Sequence, residues 1–384
     1  MNSNIRPTHD PQLRVLFITR KWPPAVGGME TYSVELVKEL QTLVELDVLP
    51  LAGNANGYPP GPTQLAAFGL RAASQLWRKG RYYDVVHLGD LVLFPLAWLH
   101  ARIAPGKVRI VTAHGLDLIY GNRRGLAPRV YRWLQRWCVT RQAAVHLVLS
   151  NSSNTADIAT TAGFSSVAAV PLGVRLPVDP PAPCKPASPP YLLFIGRLVK
   201  RKGAAWFAEA VLPKLPPDLS LHVVGKSWDE TEERTLSSNP RVRLRGYLSD
   251  EELRRERRGS IAVVMPNISV TGATDVEGFG IAALEPIADG VPVLAAAVEG
   301  LRDAVRDGET GFLLPERDDD AWVSKILSIM NWTMEERAAY ALCAWRSASD
   351  DYSWSRVARD TVAQYQKVLL DSRPAGADVD QPTP

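Results

Sequence analysis

"LPVDPPAPCKPASPPY", residues 176–191, decides how the chain divides. It holds seven prolines, and each lacks a backbone N–H and fixes its own φ, so neither a helix nor a paired strand can form there. The stretch reads as a stiff, extended linker between two domains. At 384 residues the chain is long enough for two cores.

On both sides of the linker, short apolar runs alternate with segments of helical spacing. "LRVLFIT" (13–19), "VELDVLPL" (44–51), "DVVHLG" (84–89), "VRIVTAH" (108–114), "VHLVLS" (145–150) and "VAAVPLG" (167–173) read as buried strands before it. "YLLFIG", "SLHVVG", "VRLRGYL", "IAVVMP", "VPVLAAAV" and "GFLLP" read as strands after it. Strand–helix alternation implies parallel sheets covered on both faces. The expected fold class is α/β: two doubly wound, Rossmann-like parallel-sheet domains facing across a cleft. The expected boundaries are a flexible N-terminus (1–12), a first domain (13–175), the linker (176–190), a second domain (191–350), a C-terminal helix crossing back to the first domain (351–373) and a disordered tail (374–384). Ser249 with Glu252, and Thr333 with Glu336, have the spacing of capping boxes.

Composition excludes several classes. Hydrophobic residues at 46% and charged residues at 22% describe a soluble globular chain. The polar start "MNSNIRPTHD" lacks a signal-peptide core, and the longest apolar run, "LVLFPLAWL" (91–99), is too short to span a bilayer. Cys138, Cys184 and Cys343 are too far apart for a metal knuckle and read as reduced thiols, which places the protein in the cytoplasm. Net charge is +3, but Arg71–Arg141 holds 13 Lys or Arg against three Asp. That surplus of basic residues suits an anionic partner, a membrane surface or a nucleic acid.

Three motifs carry chemistry. In "WPPAVGGMETY", Gly27 and Gly28 let a ligand approach the backbone where a helix begins, and free N–H groups at a helix start favour anions. An ordinary strand-to-helix turn would look the same. In "GRLVKRKG" (196–203), Gly196 turns the chain at a strand end while Arg197, Lys200, Arg201 and Lys202 concentrate charge suited to a diphosphate. In "TDVEGFGIAALEPIADG" (274–290), a helix is expected to start near residues 279–281. Glu277 would lie just outside it and Glu285 more than one turn inside. Each carboxylate could accept from vicinal hydroxyls, one from a sugar and one from a ribose, with a phosphate between. "GFGIAA" also fits the dinucleotide pattern G-x-G-x-x-A, but about ten residues separate it from the preceding strand, so its context fails.

At these residues the chain resembles the retaining glycosyltransferases of family 4, which have the GT-B fold. The signature is E-x(7)-E, Glu277 to Glu285, accompanied in order by "GGME", "AHGLD", "VPLGV", "GRLVKRKG", "DGVPVLA" and "DGETGFLL". The resemblance runs from about residue 13 to 370, and "YSWSRVARDTVAQY" resembles the family's last, returning helix. It implies roles position by position. Arg197 and Lys202 would bind the donor diphosphate, Glu277 the donor sugar and Glu285 the ribose. The backbone of Phe279, Gly280 and Ile281 would face sugar and phosphate. His114 would stand near the reacting centre, and Gly27 and Gly28 in the loop over phosphate and acceptor. Leu172 and Arg175 depart from the Asn and Asp often found around the family's Gly-Val.

The resemblance also implies a mechanism: transfer on a single face through a short-lived oxocarbenium-like ion pair, the leaving diphosphate taking the acceptor's proton. Stabilising that diphosphate is the protein's task. No cofactor and no metal are expected. Asp318 to Asp320, a D-x-D, reads as a capping cluster. "DVEGFGI", "AHGLD" and "WPPAVGGMETY" look most like the GDP-mannose-dependent mannosyltransferases, including those that act on phosphatidylinositol mannosides. UDP-glucose, UDP-N-acetylglucosamine and GDP-rhamnose users share the same skeleton. The expected function is hexose transfer from a nucleotide sugar to a lipid-linked or polysaccharide acceptor in cell-envelope glycan biosynthesis, lipopolysaccharide included. A catalytically inactive sugar-binding scaffold is the non-enzymatic alternative.

The segment 123–141 places Arg129, Arg132 and Arg136 on one helical face and Val130, Trp133, Leu134 and Trp137 on a neighbouring one. Arg beside Trp suits an interfacial contact with anionic lipid, and hence a peripheral place on the inner face of the membrane. A core-facing helix with a solvated basic side would show the same pattern. The segment resembles no nucleic-acid-binding module, so nucleic acid is not expected as a partner.

Overall fold

Successive side chains of a strand point to opposite faces, and the apolar runs use both. The computed structural model describes residues 12–25, 27–54, 60–270 and 275–372. The expected flexible N-terminus, but for residue 12, and the expected disordered tail lie outside the described residues. The chain forms two units. The first takes the described residues of Met1–Ser150, Ala156–Val170 and Val357–Pro384, the second those of Asn151–Thr155 and Pro171–Arg356.

The first unit contains β1 (Arg14–Trp22), β2 (Glu45–Ala52), β3 (Val85–Leu88), β4 (Val108–Ala113), β5 (Leu147–Ser150) and β6 (Val167–Ala169). They form one sheet in the order β2-β1-β3-β4-β5-β6, every pair parallel. Between them run α1 (Gly28–Leu40), α2 (Pro62–Lys79), α3 (Phe94–Ile103), a short α4 (Leu116–Ile119), α5 (Leu126–Thr140) and α6 (Ser153–Thr161). On one face Leu16, Ile18, Val86 and Val111 join Phe68 and Leu76 of α2, Phe94 of α3 and Cys138 of α5 in a single core. Each such large apolar side chain contributes about 1.5–3 kcal/mol on burial. On the other face the Phe17 and His87 rings meet edge to face, and His87 hydrogen-bonds Tyr365 at 2.6 Å.

The second unit contains β7 (Tyr191–Ile195), β8 (Ser220–Val224), β9 (Val242–Gly246), β10 (Val263–Met265), β11 (Val293–Ala296) and β12 (Phe312–Leu314). Their order is β12-β11-β10-β7-β8-β9, again parallel throughout. Its helices are α7 (Ala204–Trp206), α8 (Glu230–Ser238), α9 (Asp250–Gly259), α10 (Leu301–Ala304), α11 (Asp319–Met330) and α12 (Met334–Asp351). Both capping boxes form, opening α9 and α12. The last helix, α13 (Trp354–Asp371), starts among residues of the second unit, and from Val357 onward belongs to the first.

The proline-rich stretch has no helix or strand, and it is fastened to the second unit rather than free. Buried Cys184 donates its Sγ–H to the Asp289 carbonyl at 3.0 Å, and Trp345 Nε1 donates to the Pro177 carbonyl at 2.9 Å.

Candidate active site

In a parallel sheet the loops that follow the strands gather along one edge, where ligands of open α/β folds bind. In the second unit β11, β10 and β7 are neighbours, and the loops after all three meet. After β7 the chain makes a tight turn at Lys200–Lys202, then passes through Gly203 at φ +69°. A Cβ there would lie 1.8 Å from the Pro266 carbonyl oxygen, so only glycine lets this loop close on the one after β10. The closure brings Arg201 and Lys202 to Glu277.

Glu277 is the centre of the cluster. Its carboxylate accepts from Lys202 Nζ, from Arg201 Nη1 at 3.2 Å and from Asn267 Nδ2 at 3.2 Å. Burial alone would raise this carboxyl, but Lys202 and Arg201 outweigh it and hold the pKa at about 2. Asp275 bridges Arg197 at 3.3 Å and Arg201 at 3.4 Å. The Glu277 N–H donates to Glu299 Oε2 at 2.7 Å. Glu299 follows β11 with φ at +47°, a strained conformation for a residue with a Cβ. Burial raises its carboxyl while Arg201 opposes. Arg197 is half-exposed and Lys202 buried. Asp275, Asn267 and Glu299 were not assigned from the sequence, and Arg201 was named only among the cations of "GRLVKRKG", with no role of its own. Glu299 is brought in only by the sheet order.

One expectation is corrected here. No α-helix starts near residues 279–281; two 3₁₀ turns, Ile281–Ala283 and Glu285–Asp289, take its place. Pro286 cannot donate the bond that would carry a helix through. Glu285 therefore opens the second turn instead of lying deep inside a helix. It pairs with Arg257 at 3.5 Å, and Arg257 also holds buried Asp289 at 2.6 Å. Burial raises the Glu285 carboxyl and Arg257 lowers it. The two glutamates thus serve separate ionic groups. Phe279 is buried beside Tyr352, so only its backbone is on offer. Gly280 adopts φ +94°, and a Cβ there would lie 2.7 Å from Leu301 Cδ2. Its N–H and that of Ile281 open the first turn with no acceptor among the described residues. Gly196 ends β7 by donating to the Val224 carbonyl at 2.9 Å.

In the first unit, Gly27–Gly28, Gly89–Asp90 and His114 follow β1, β3 and β4, which are also neighbours. Gly28 begins α1, and the Gly27 carbonyl accepts the first helical bond, from Thr31 at 2.9 Å. His114 is buried, with Nε2 2.9 Å from the Gly89 carbonyl. A carbonyl only accepts, so Nε2 carries a proton. Buried Asp117 accepts the His114 backbone N–H at 2.8 Å and fixes the residue's position. Tyr32 of α1 packs edge-on against the ring, 4.9 Å away. Asp90 is fully buried and paired with Arg20 at 2.8 Å. Neither aspartate was singled out in the sequence.

A model of the glycosyl transferases group 1 matches residues 189–331, and one of glycosyltransferase family 4 matches residues 26–176. Together they cover every strand of both sheets except β1. The chain belongs to the family 4 glycosyltransferases. It is 25% identical to the alpha-maltose-1-phosphate synthase of Mycolicibacterium smegmatis, over 93% of this chain and 100% of that protein. To the GDP-mannose-dependent alpha-(1-6)-phosphatidylinositol monomannoside mannosyltransferase of the same organism it is 27% identical, over 88% and 95%. Among solved structures, the sucrose-phosphate synthase of Thermosynechococcus elongatus superposes with a TM-score of 0.70 at 19% identity, covering 94% of this chain and 100% of that one. Fold and class are those of a GT-B hexosyltransferase.

This family 4 glycosyltransferase uses the D-x-D that starts at Asp318 structurally. Asp318 caps α11 by accepting from the Ala321 N–H at 3.0 Å, while Asp319 and Asp320 pair with Lys214 at 2.8 and 2.7 Å. Among the described residues no group of three or more His, Cys, Asp or Glu is placed to hold a metal ion. No described helix is long and apolar enough to cross a membrane.

On α5 the expected interfacial set splits. Leu126, Val130 and Trp133 form an exposed apolar stripe, with Arg129 and Arg136 also exposed. Trp137 lies one turn further along that stripe, where α3 covers it, and packs on Phe94 and Trp98. Arg132 donates through Nε to the Gly121 carbonyl at 2.8 Å. Trp137 and Arg132 are therefore engaged within the fold.

Proposed function

We propose that the protein transfers mannose, with retention, from GDP-mannose to a lipid-linked or polysaccharide acceptor of the cell envelope. The observation that carries the reading is the cluster at the ends of β7, β10 and β11. There Arg197, Arg201 and Lys202 meet the carboxylates of Asp275, Glu277 and Glu299, beside the N–H groups of Gly280 and Ile281, which have no acceptor among the described residues. A diphosphate needs several fixed donors, and a hexose needs a carboxylate that stays ionised. Both stand within one network. In the reaction the bond from the sugar's anomeric carbon to the diphosphate breaks, and the acceptor oxygen bonds to that carbon on the same face. The acceptor's proton passes to the departing phosphate oxygen. Arg197 and Lys202 would stabilise charge growing on the diphosphate, and Glu277 would hold sugar hydroxyls. Glu285, beside Arg257, would take the ribose. For His114, its ring fixed by Gly89, and for the Gly27–Gly28 turn the proposed roles are those that the family resemblance implies. No metal enters this scheme. GDP-mannose is favoured by the relative that uses it and by the motifs shared with such enzymes.

The exposed Leu126, Val130 and Trp133, with Arg129 and Arg136, would rest on anionic lipid at the inner face of the membrane. The deciding experiment is a thermal-shift panel of GDP, UDP and ADP with their sugars, followed by transfer assays with the donor that stabilises most. GDP-mannose is expected to give the largest shift and turnover. A larger shift with a UDP sugar would overturn the donor, and shifts with no turnover on any acceptor would overturn the reaction.

A further inference from the structure

A cavity of about 900 Å³ in the first unit lies away from every residue assigned above. Its walls come from the amino-terminal ends of the strands: Glu45 opens β2, Arg81 and Tyr82 precede β3, and Ile103 precedes β4. Gly27 and His114 sit at the carboxyl ends of the same sheet, about 20 Å away along the strands. A cavity of this size suits a small organic ligand.

Its chemistry is divided. Trp77, Leu99 and Ile103 give it an apolar side, and Trp77 is 74% exposed. Arg78, Lys79, Arg81 and Arg102 give it a cationic side. Arg81 is held through Nε by the Ile103 carbonyl at 3.1 Å, and Arg102 through Nη1 by the Trp98 carbonyl at 3.1 Å. The side chains of Arg78 and Lys79 have no ion-pair or hydrogen-bond partner among the described residues. Glu45 and Asp47 also line the cavity, but each carboxylate already accepts a tyrosine hydroxyl, from Tyr82 and from Tyr83. Four cations against two engaged carboxylates leave the site positive, so it favours an anion over a neutral sugar.

We propose that this cavity is a second ligand site, taking a phosphate-bearing amphiphile whose headgroup meets Arg78 and Lys79 while its apolar part covers Trp77, Leu99 and Ile103. The inference stands apart from the transfer reaction, since no residue of the cavity belongs to the donor cluster or to the surroundings of His114.

Calorimetric titration of the full chain with monomeric dihexanoyl phosphatidic acid tests it, below the concentration at which that lipid forms micelles. The wild type is expected to bind. Arg78→Glu combined with Lys79→Glu should weaken binding by about tenfold or more, as two reversed charges at an anion site imply. Trp77→Ala should weaken it several-fold, and Trp133→Ala on α5 should leave it unchanged. Dihexanoylglycerol should not bind, and inorganic phosphate at equal concentration should not displace the lipid. Transfer to a water-soluble acceptor should survive the double substitution, so failure here is separate from failure of the proposed reaction. No binding, equal binding by the double variant, displacement by phosphate alone or loss on Trp133→Ala would each overturn the proposal.

Discussion

The cations after β7 and those along α2 and α5 are the same residue types in opposite circumstances. Arg201 and Lys202 are buried and share three carboxylates, so their positions are fixed by the protein's own charges. Arg78, Lys79, Arg129 and Arg136 lie at the surface of the first unit beside exposed Trp77 and Trp133. Internal pairing preorganises a site for a reaction, in which charge must be met without rearrangement. Uncompensated charge beside apolar surface instead invites an external anion. Composition does not separate these cases; the neighbouring carboxylates do.

Removing a buried partner should break this contrast most severely. Arg201→Met removes the cation shared by Asp275, Glu277 and Glu299, and should cost about 3–5 kcal/mol of stability, read by urea unfolding. A loss under 1 kcal/mol would show the cluster to be less dependent on Arg201 than its geometry implies. Arg197→Ala and Lys202→Ala should each lower kcat by roughly 100-fold or more while the protein stays folded. Near-wild-type turnover in both would remove the diphosphate assignment.

The pH dependence sharpens the comparison. Glu277 is held below its unfolded pKa, so its contribution is complete above about pH 4.5 and is lost as pH falls toward 2. The stability gap between wild type and Glu277→Gln should therefore be wide at pH 6 and close across that window; a constant gap would contradict it. On α5, Arg136→Glu should weaken co-sedimentation with anionic vesicles at low salt by about fivefold, near 1 kcal/mol for a charge at the surface. An unchanged bound fraction would leave that surface without a lipid role. Excess chelator is expected to leave transfer activity intact, and its abolition would require a metal site in the protein.

Much of the site was legible because its parts are local. A glycine pair before a helix, a run of cations after an apolar strand and two glutamates eight positions apart are visible in any single stretch. Trp137 shows where that reading stops: its helical stripe is exposed at Trp133 and covered at the next turn by α3, and no periodicity contains that neighbour. The Glu277–Pro286 segment shows a second limit. Its spacing fits a helix, but Pro286 withholds one N–H and the chain settles into two short turns.

The sequence by itself determined the alternation of strands and helices, the break at the prolines and the identity of the charged groups, because hydrophobic period and backbone chemistry act over a few residues. Tertiary structure alone decided which charges meet. Arg201, Glu277 and Glu299 lie far apart in the chain, and they converge only because β7, β10 and β11 pair side by side and Gly203 lets two loops touch. Coulomb attraction fixes partners by distance, and distance is set by the sheet.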